Sequence, residues 1–155
     1  ERLSFAYFQK CVEPLLITPI QAPNGQGSNT CASGGCHSNV NGTGGALRII
    51  DSAALVDLGL APDAIRATDM YRNFYSAMGV TVPGDAAASR LLLKPLVQGV
   101  LHGGGQILAS ENDPVAVLIR YWIDHPAPEG QDEFSTATYS MFTPADPATG
   151  SCNTQ

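Results

Sequence analysis

No stretch of this chain approaches the roughly 20 apolar residues needed to cross a bilayer, because Pro, Gly or a charge interrupts every candidate run. Basic residues are also scarce: 8 Lys and Arg, scattered singly from Arg2 to Arg120, stand against 14 Asp and Glu, for a net charge of -6. With no basic cluster, neither nucleic acid nor an anionic membrane surface is expected as a partner. Internal repeats are missing, and no alternating pattern is strong enough to make a sheet the organising element. Charged residues make up only 14% against 44% hydrophobic, which excludes a disordered or coiled-coil chain.

What the chain does have is glycine and proline, 16 and 11 of them, and hence much ordered loop. At 155 residues it can bury a core as one domain without needing a metal or disulfides merely to fold. It begins at Glu1 rather than Met, which leads to the expectation of a mature chain whose export signal has been removed. Four cysteines, a close pair at 31 and 36 and a remote pair at 11 and 152, suit an oxidising compartment. The periplasm or the cell exterior is therefore the expected location.

Ser4 can cap a first helix whose apolar face is Phe5, Phe8, Val12, Leu15 and Leu16, limited by Pro14 and Pro19. From Ile20 to Gly45 no hydrophobic period survives, predicting an unusually long loop of about 25 residues. An apolar segment at 53–60 precedes a helix that starts at Pro62 and runs through Ile65, Met70, Phe74 and Tyr75. Asp85 can cap the next, which carries Leu91, Leu92 and Leu93 and finishes near Pro95. The clearest helix is capped at Asn112 or Asp113, opens on Pro114, presents Val115, Leu118, Ile119, Trp122 and Ile123, and stops at Asp124-His125-Pro126. Residues 127–155 read as an extended tail on the same domain.

The chemistry is concentrated in Cys31-Ala32-Ser33-Gly34-Gly35-Cys36-His37. Two cysteines followed directly by a histidine is the arrangement that attaches a c-type haem, through two thioethers, with the histidine reaching the iron from the same side. The usual spacing leaves two residues between the cysteines; here there are four, small and flexible enough to loop out. A local Cys31–Cys36 disulfide with His37 as a surface residue is the alternative. Zinc is a third, but structural zinc wants four N or S ligands, and the other cysteines lie far off.

Around the motif, Phe8, Val12, Pro14, Leu15 and Leu16, then Gly44-Gly45-Ala46-Leu47, then Pro83-Gly84-Asp85 with Ser89, Leu91 and Leu92, and finally Tyr121-Trp122-Ile123-Asp124 follow one another in a familiar order. In that order, over about residues 5 to 128, the chain resembles bacterial monohaem cytochrome c domains of the kind found in planctomycete and myxobacterial surface proteins. The resemblance implies a mainly α, cytochrome c-like helical domain around one covalent haem c at residues 1–126, with long loops and the 127–155 extension packed on it. It implies Cys31, Cys36 and His37 as attachment and proximal residues, and a distal ligand from the loop holding His102. Three glycines after His102 let the backbone approach a porphyrin face. Met78 is the alternative sixth ligand. Met70 is expected in the core, His125 at helix carbonyls, and Met141 in the tail.

Arg48, Arg90 and Lys94 are candidates to pair with haem propionates or to be solvated surface charges. Cys11 and Cys152 either tie the tail to the first helix or reach other chains. A haem held by two protein ligands has no open position, so one-electron transfer with redox protein partners is the expected function, not an enzymatic one. Two alternatives stand beside it: a haem-bearing subunit of a larger complex or filament, and a five-coordinate peroxidase or gas-binding haem.

Overall fold

Ser4 opens the first helical stretch, its Oγ accepting from Tyr7 N at 3.2 Å. The computed structural model, which describes residues 2–23, 25 and 27–155, continues it as α1 (Phe5–Tyr7), a π-helical turn (Phe8–Val12) and α2 (Glu13–Ile17). Pro14 is the physical cause of the wide turn. It has no N–H to offer the carbonyl of Lys10, and its ring crowds that oxygen, so the backbone ahead of it widens. Glu13 N instead donates back to Phe8 O.

A two-stranded antiparallel sheet follows, β1 (Ile20–Gln21) on β2 (Ser28–Asn29), where a featureless loop was expected; Glu1, Asn24 and Gln26 lie outside the described residues. The helix expected from Pro62 to Tyr75 is two helices, α3 (Pro62–Arg66) and α4 (Asp69–Met78). The break comes from Thr68, whose hydroxyl caps α4 by accepting from Tyr71 N at 3.2 Å. Asp85 caps a short 3₁₀ turn (Ala86–Ala88), and α5 (Arg90–Leu96) carries Pro95 in its last turn and ends on Val97 at φ 55°. Asp113 caps α6 (Pro114–Asp124) through Val115 N at 2.9 Å.

The core is an aromatic cluster between the first helical stretch, α4 and α6. The Phe8 ring lies 5.5 Å from Phe74 and 5.3 Å from Trp122, and Phe5 meets Phe74 edge-on at 5.4 Å. Trp122 is fully buried and its indole N–H donates to Ser4 O at 2.9 Å.

Residues 127–155 are not an extended tail. They hold a 3₁₀ helix (Thr136–Met141) and a hairpin of β3 (Phe142–Thr143) on β4 (Ser151–Cys152). Phe5 N donates to Glu133 O at 2.9 Å, and Cys11 and Cys152 pair as a disulfide with Cα atoms 6.1 Å apart. The Glu133 side chain is 2% exposed and accepts from Tyr71 OH at 2.7 Å and Arg66 Nε at 3.0 Å. Burial pushes its pKa up, but these hydrogen bonds outweigh that and hold it below the ordinary carboxylate range.

The expectation of a mainly α, cytochrome c-like helical fold is corrected by this architecture. Helical turns of all kinds, six α-helices with one π-helical and two 3₁₀ segments, cover 36% of the chain beside two small antiparallel sheets among the described residues. The reason is local. Proline interrupts the first helical stretch at Pro14, and clustered glycines leave 30–61 and 97–113 as turns and loops held by their own backbone hydrogen bonds.

Candidate functional site

The cysteine motif is built from consecutive turns. Ser33 N donates to Thr30 O at 3.2 Å, Cys36 N to Ser33 O at 3.0 Å, and His37 N closes the loop onto Cys31 O at 2.9 Å. Gly34 and Gly35 are exposed, so the two additional residues sit on the solvent side. Cys31 and Cys36 are free thiols rather than a disulfide. Burial, with Cys36 adding to it, pushes the Cys31 thiol up to about 11, so it is a neutral thiol at physiological pH rather than a reactive thiolate.

His37 is fixed from two directions. Its Nδ1 lies 3.2 Å from Leu47 O, and its carbonyl accepts from Ile49 N at 2.8 Å. Gly44 makes the close approach possible: a Cβ there would stand 2.7 Å from His37 Nδ1, His37 Cε1 and Cys36 O. Beneath this turn, α4 supplies the anchors. Asn73, fully buried, accepts from Ile50 N at 2.7 Å and donates to Ile50 O at 2.9 Å, while Ser76 Oγ accepts from Arg48 N at 2.6 Å.

His102 is held in a matching way from the opposite loop. Its Nδ1 lies 2.8 Å from Gly105 O, and Gly105, at φ +72°, donates its N–H back to His102 O at 2.9 Å. Pro95 O ties the loop to α5 by accepting from Ile107 N at 2.8 Å and Leu108 N at 3.1 Å. The imidazole centroids of His37 and His102 are 6.2 Å apart with planes 8° from parallel. With Nδ1–H of each ring donating to a carbonyl, Nε2 of each neutral ring carries the lone pair.

Both rings line one cavity of about 520 Å³, together with Cys31 and Cys36. Its apolar lining includes Leu16, Leu47, Leu91 and Ile119, and Arg90 and Lys94 are its two cations. Arg48 is outside it, its guanidinium bonded to Leu47 O at 2.9 Å. Burial lowers the His37 pKa, and His102, Arg48 and Lys94 act in the same direction against the Leu47 carbonyl. His37 is thus a neutral imidazole, the form that binds a metal.

Met78 ends α4 and packs against the core instead of lining the cavity; Met70 and Met141 are core residues. His125 lies at the end of α6 with Nδ1 2.8 Å from Tyr121 O. Among the described residues no group of three or more His, Cys, Asp or Glu is arranged to chelate a metal ion. Sequence reasoning missed the anchoring roles of Asn73 and Ser76, which look like ordinary polar positions of an amphipathic helix, and missed buried Glu13. No protein-family model, curated protein or solved structure matches this chain.

Proposed function

We propose that this protein is a one-electron carrier holding a single covalent haem c, with Cys31 and Cys36 as attachment residues and His37 and His102 as the two axial ligands. The observation that carries the reading is the pair of near-parallel imidazoles 6.2 Å apart across a cavity that also holds both free thiols. Two metal–nitrogen bonds of about 2 Å each, plus a ring half-width on either side, add to about 6 Å, so the spacing suits one iron between the rings. Haem needs only two ligands from the protein, here His37 and His102.

When bound, haem supplies reversible one-electron chemistry at a potential tuned by its ligands and surroundings. The chain's own residues do the rest. Leu47 O and Gly105 O hold both imidazoles in the tautomer that puts the proton on Nδ1 and the lone pair on Nε2. The apolar part of the lining would shield the group, and Arg90 and Lys94 would offer positive charge to its propionates. With both axial positions filled by protein, the reading is a carrier exchanging electrons with redox protein partners, not a peroxidase. The Cys11–Cys152 disulfide favours an exported protein in an oxidising compartment, and no helix among the described residues is long and apolar enough to cross a membrane.

The test is an absorption spectrum of protein produced with covalent haem attachment in operation, oxidised and dithionite-reduced, repeated after acid-acetone extraction. A c-type spectrum that survives extraction, without the red band of a Met–iron bond, is the expected result. A colourless protein would sink the reading.

A further inference from the structure

Glu13 is a buried acid that the proposed site does not use. It is 3% exposed on α2, and its Oε1 has no hydrogen-bond partner. Two residues on, Leu15 lines the cavity, as does Leu16. The polar group acting on Glu13 is the Asn73 amide, the same one that clamps Ile50 through both its backbone groups. Ile49, next along, donates its N–H to the carbonyl of His37. A buried carboxyl therefore adjoins the anchor on which the His37 turn rests.

We infer that Glu13 is a proton-binding site linked to the electron site, so that the protein takes up a proton from solvent when it takes up an electron. This rests on the haem reading above. In the step, a one-electron reductant delivers an electron to the site, and a proton from water bonds to a carboxylate oxygen of Glu13, giving the neutral acid. On oxidation the electron and the proton both leave. The physical cause is the interior's low dielectric: an added negative charge there raises the cost of a second, unpaired one in Glu13, and protonation removes it.

Burial already pushes Glu13 up to about 7, with Asn73 pulling it back only in part, so small changes in local charge move it through the physiological range. Among the described residues, no charged group faces it to fix its state. On its own helical stretch, the Lys10 ammonium is bonded to Ala148 O at 3.0 Å and lies over the Phe142 ring, and Cys11 is locked in the disulfide. On α4, Asp69 and Arg72 pair with each other and Tyr71 bonds to Glu133. In the segment Asn73 holds, Arg48 folds onto Leu47 O and Asp51 is exposed.

The experiment is redox titration of the haem-loaded protein between about pH 5.5 and 8.5, wild type against Glu13→Gln, with electrochemically induced infrared difference spectra. The expected wild-type result is a potential that falls as pH rises through the region of Glu13, and a protonated-carboxyl C=O band that grows on reduction. Glu13→Gln flattens the slope and removes the band. Should Glu13→Gln not fold, Glu13→Asp shifts the band if Glu13 is its source. A coloured protein whose slope and band are the same in wild type and variant overturns the link alone. A colourless protein overturns the haem reading and the link together.

Discussion

The two halves of the molecule are held together by different means. Around Phe8, Phe74 and Trp122, side chains interlock at ring distances of 5.3 to 6.1 Å, and a disulfide closes the arm over them. Around His37 and His102, glycine-rich turns are held by backbone hydrogen bonds and enclose about 520 Å³ of space. A half built of turns around a cavity keeps its shape through the anchors from α4 and α5 and through buried residues such as Ile49, Leu91 and Leu108.

That difference can be broken first at the cavity. Cys31→Ser with Cys36→Ser is expected to abolish covalent haem entirely, read as loss of colour after acid-acetone extraction, while near-ultraviolet circular dichroism of the aromatic cluster persists. In the packed half, Trp122→Ala removes a fully buried ring and its bond to Ser4 O, and should cost about 3–5 kcal/mol by denaturant titration. Cys11→Ser with Cys152→Ser opens a loop of 141-residue separation and should cost roughly 2–4 kcal/mol in the same assay.

Glu13 adds a pH dependence that belongs to neither half alone. Its folded-state pKa, about 7, is raised above the ordinary carboxylate value. The folded state therefore binds the proton more tightly, and stability present at low pH is lost as pH rises from the ordinary value through about 7. The thermal midpoint of Glu13→Gln, compared with wild type, should gain ground across that window. The smallest effect is expected at Gly44→Ala. A Cβ 2.7 Å from Cys36 O and the His37 ring must displace the turn, shifting the axial-ligand spectrum while lowering stability by about 1–3 kcal/mol.

Much of the packed half was legible in the chain. Ser4 and Asp113 cap where their side chains and the following apolar period predict, and Pro114 opens α6, whereas Asp85 caps the 3₁₀ turn Ala86–Ala88 instead of the helix that carries Leu91, Leu92 and Leu93. These are local signals, carried by a few neighbouring residues. Reading residues 62–75 as one helix failed because Thr68 competes for the backbone within an otherwise continuous apolar pattern. The mainly α class failed for a related reason: apolar periodicity marks where helices can form, not how much of the chain glycine and proline keep out of them. The tail misled because its 3₁₀ helix and hairpin depend on contacts with Phe5 and Cys11, over a hundred residues away.

By itself the sequence determined the Cys31, Cys36 and His37 cluster, the helix caps and the apolar faces, because each rests on residue type and short spacing. Tertiary structure alone decided that Cys11 meets Cys152, that Met78 packs against the core outside the cavity, and that His102 comes to 6.2 Å from His37. Those outcomes depend on how loops far apart in the chain are anchored on shared helices. Asn73, Ser76 and Pro95 do that anchoring, through backbone and side-chain hydrogen bonds that no local pattern announces.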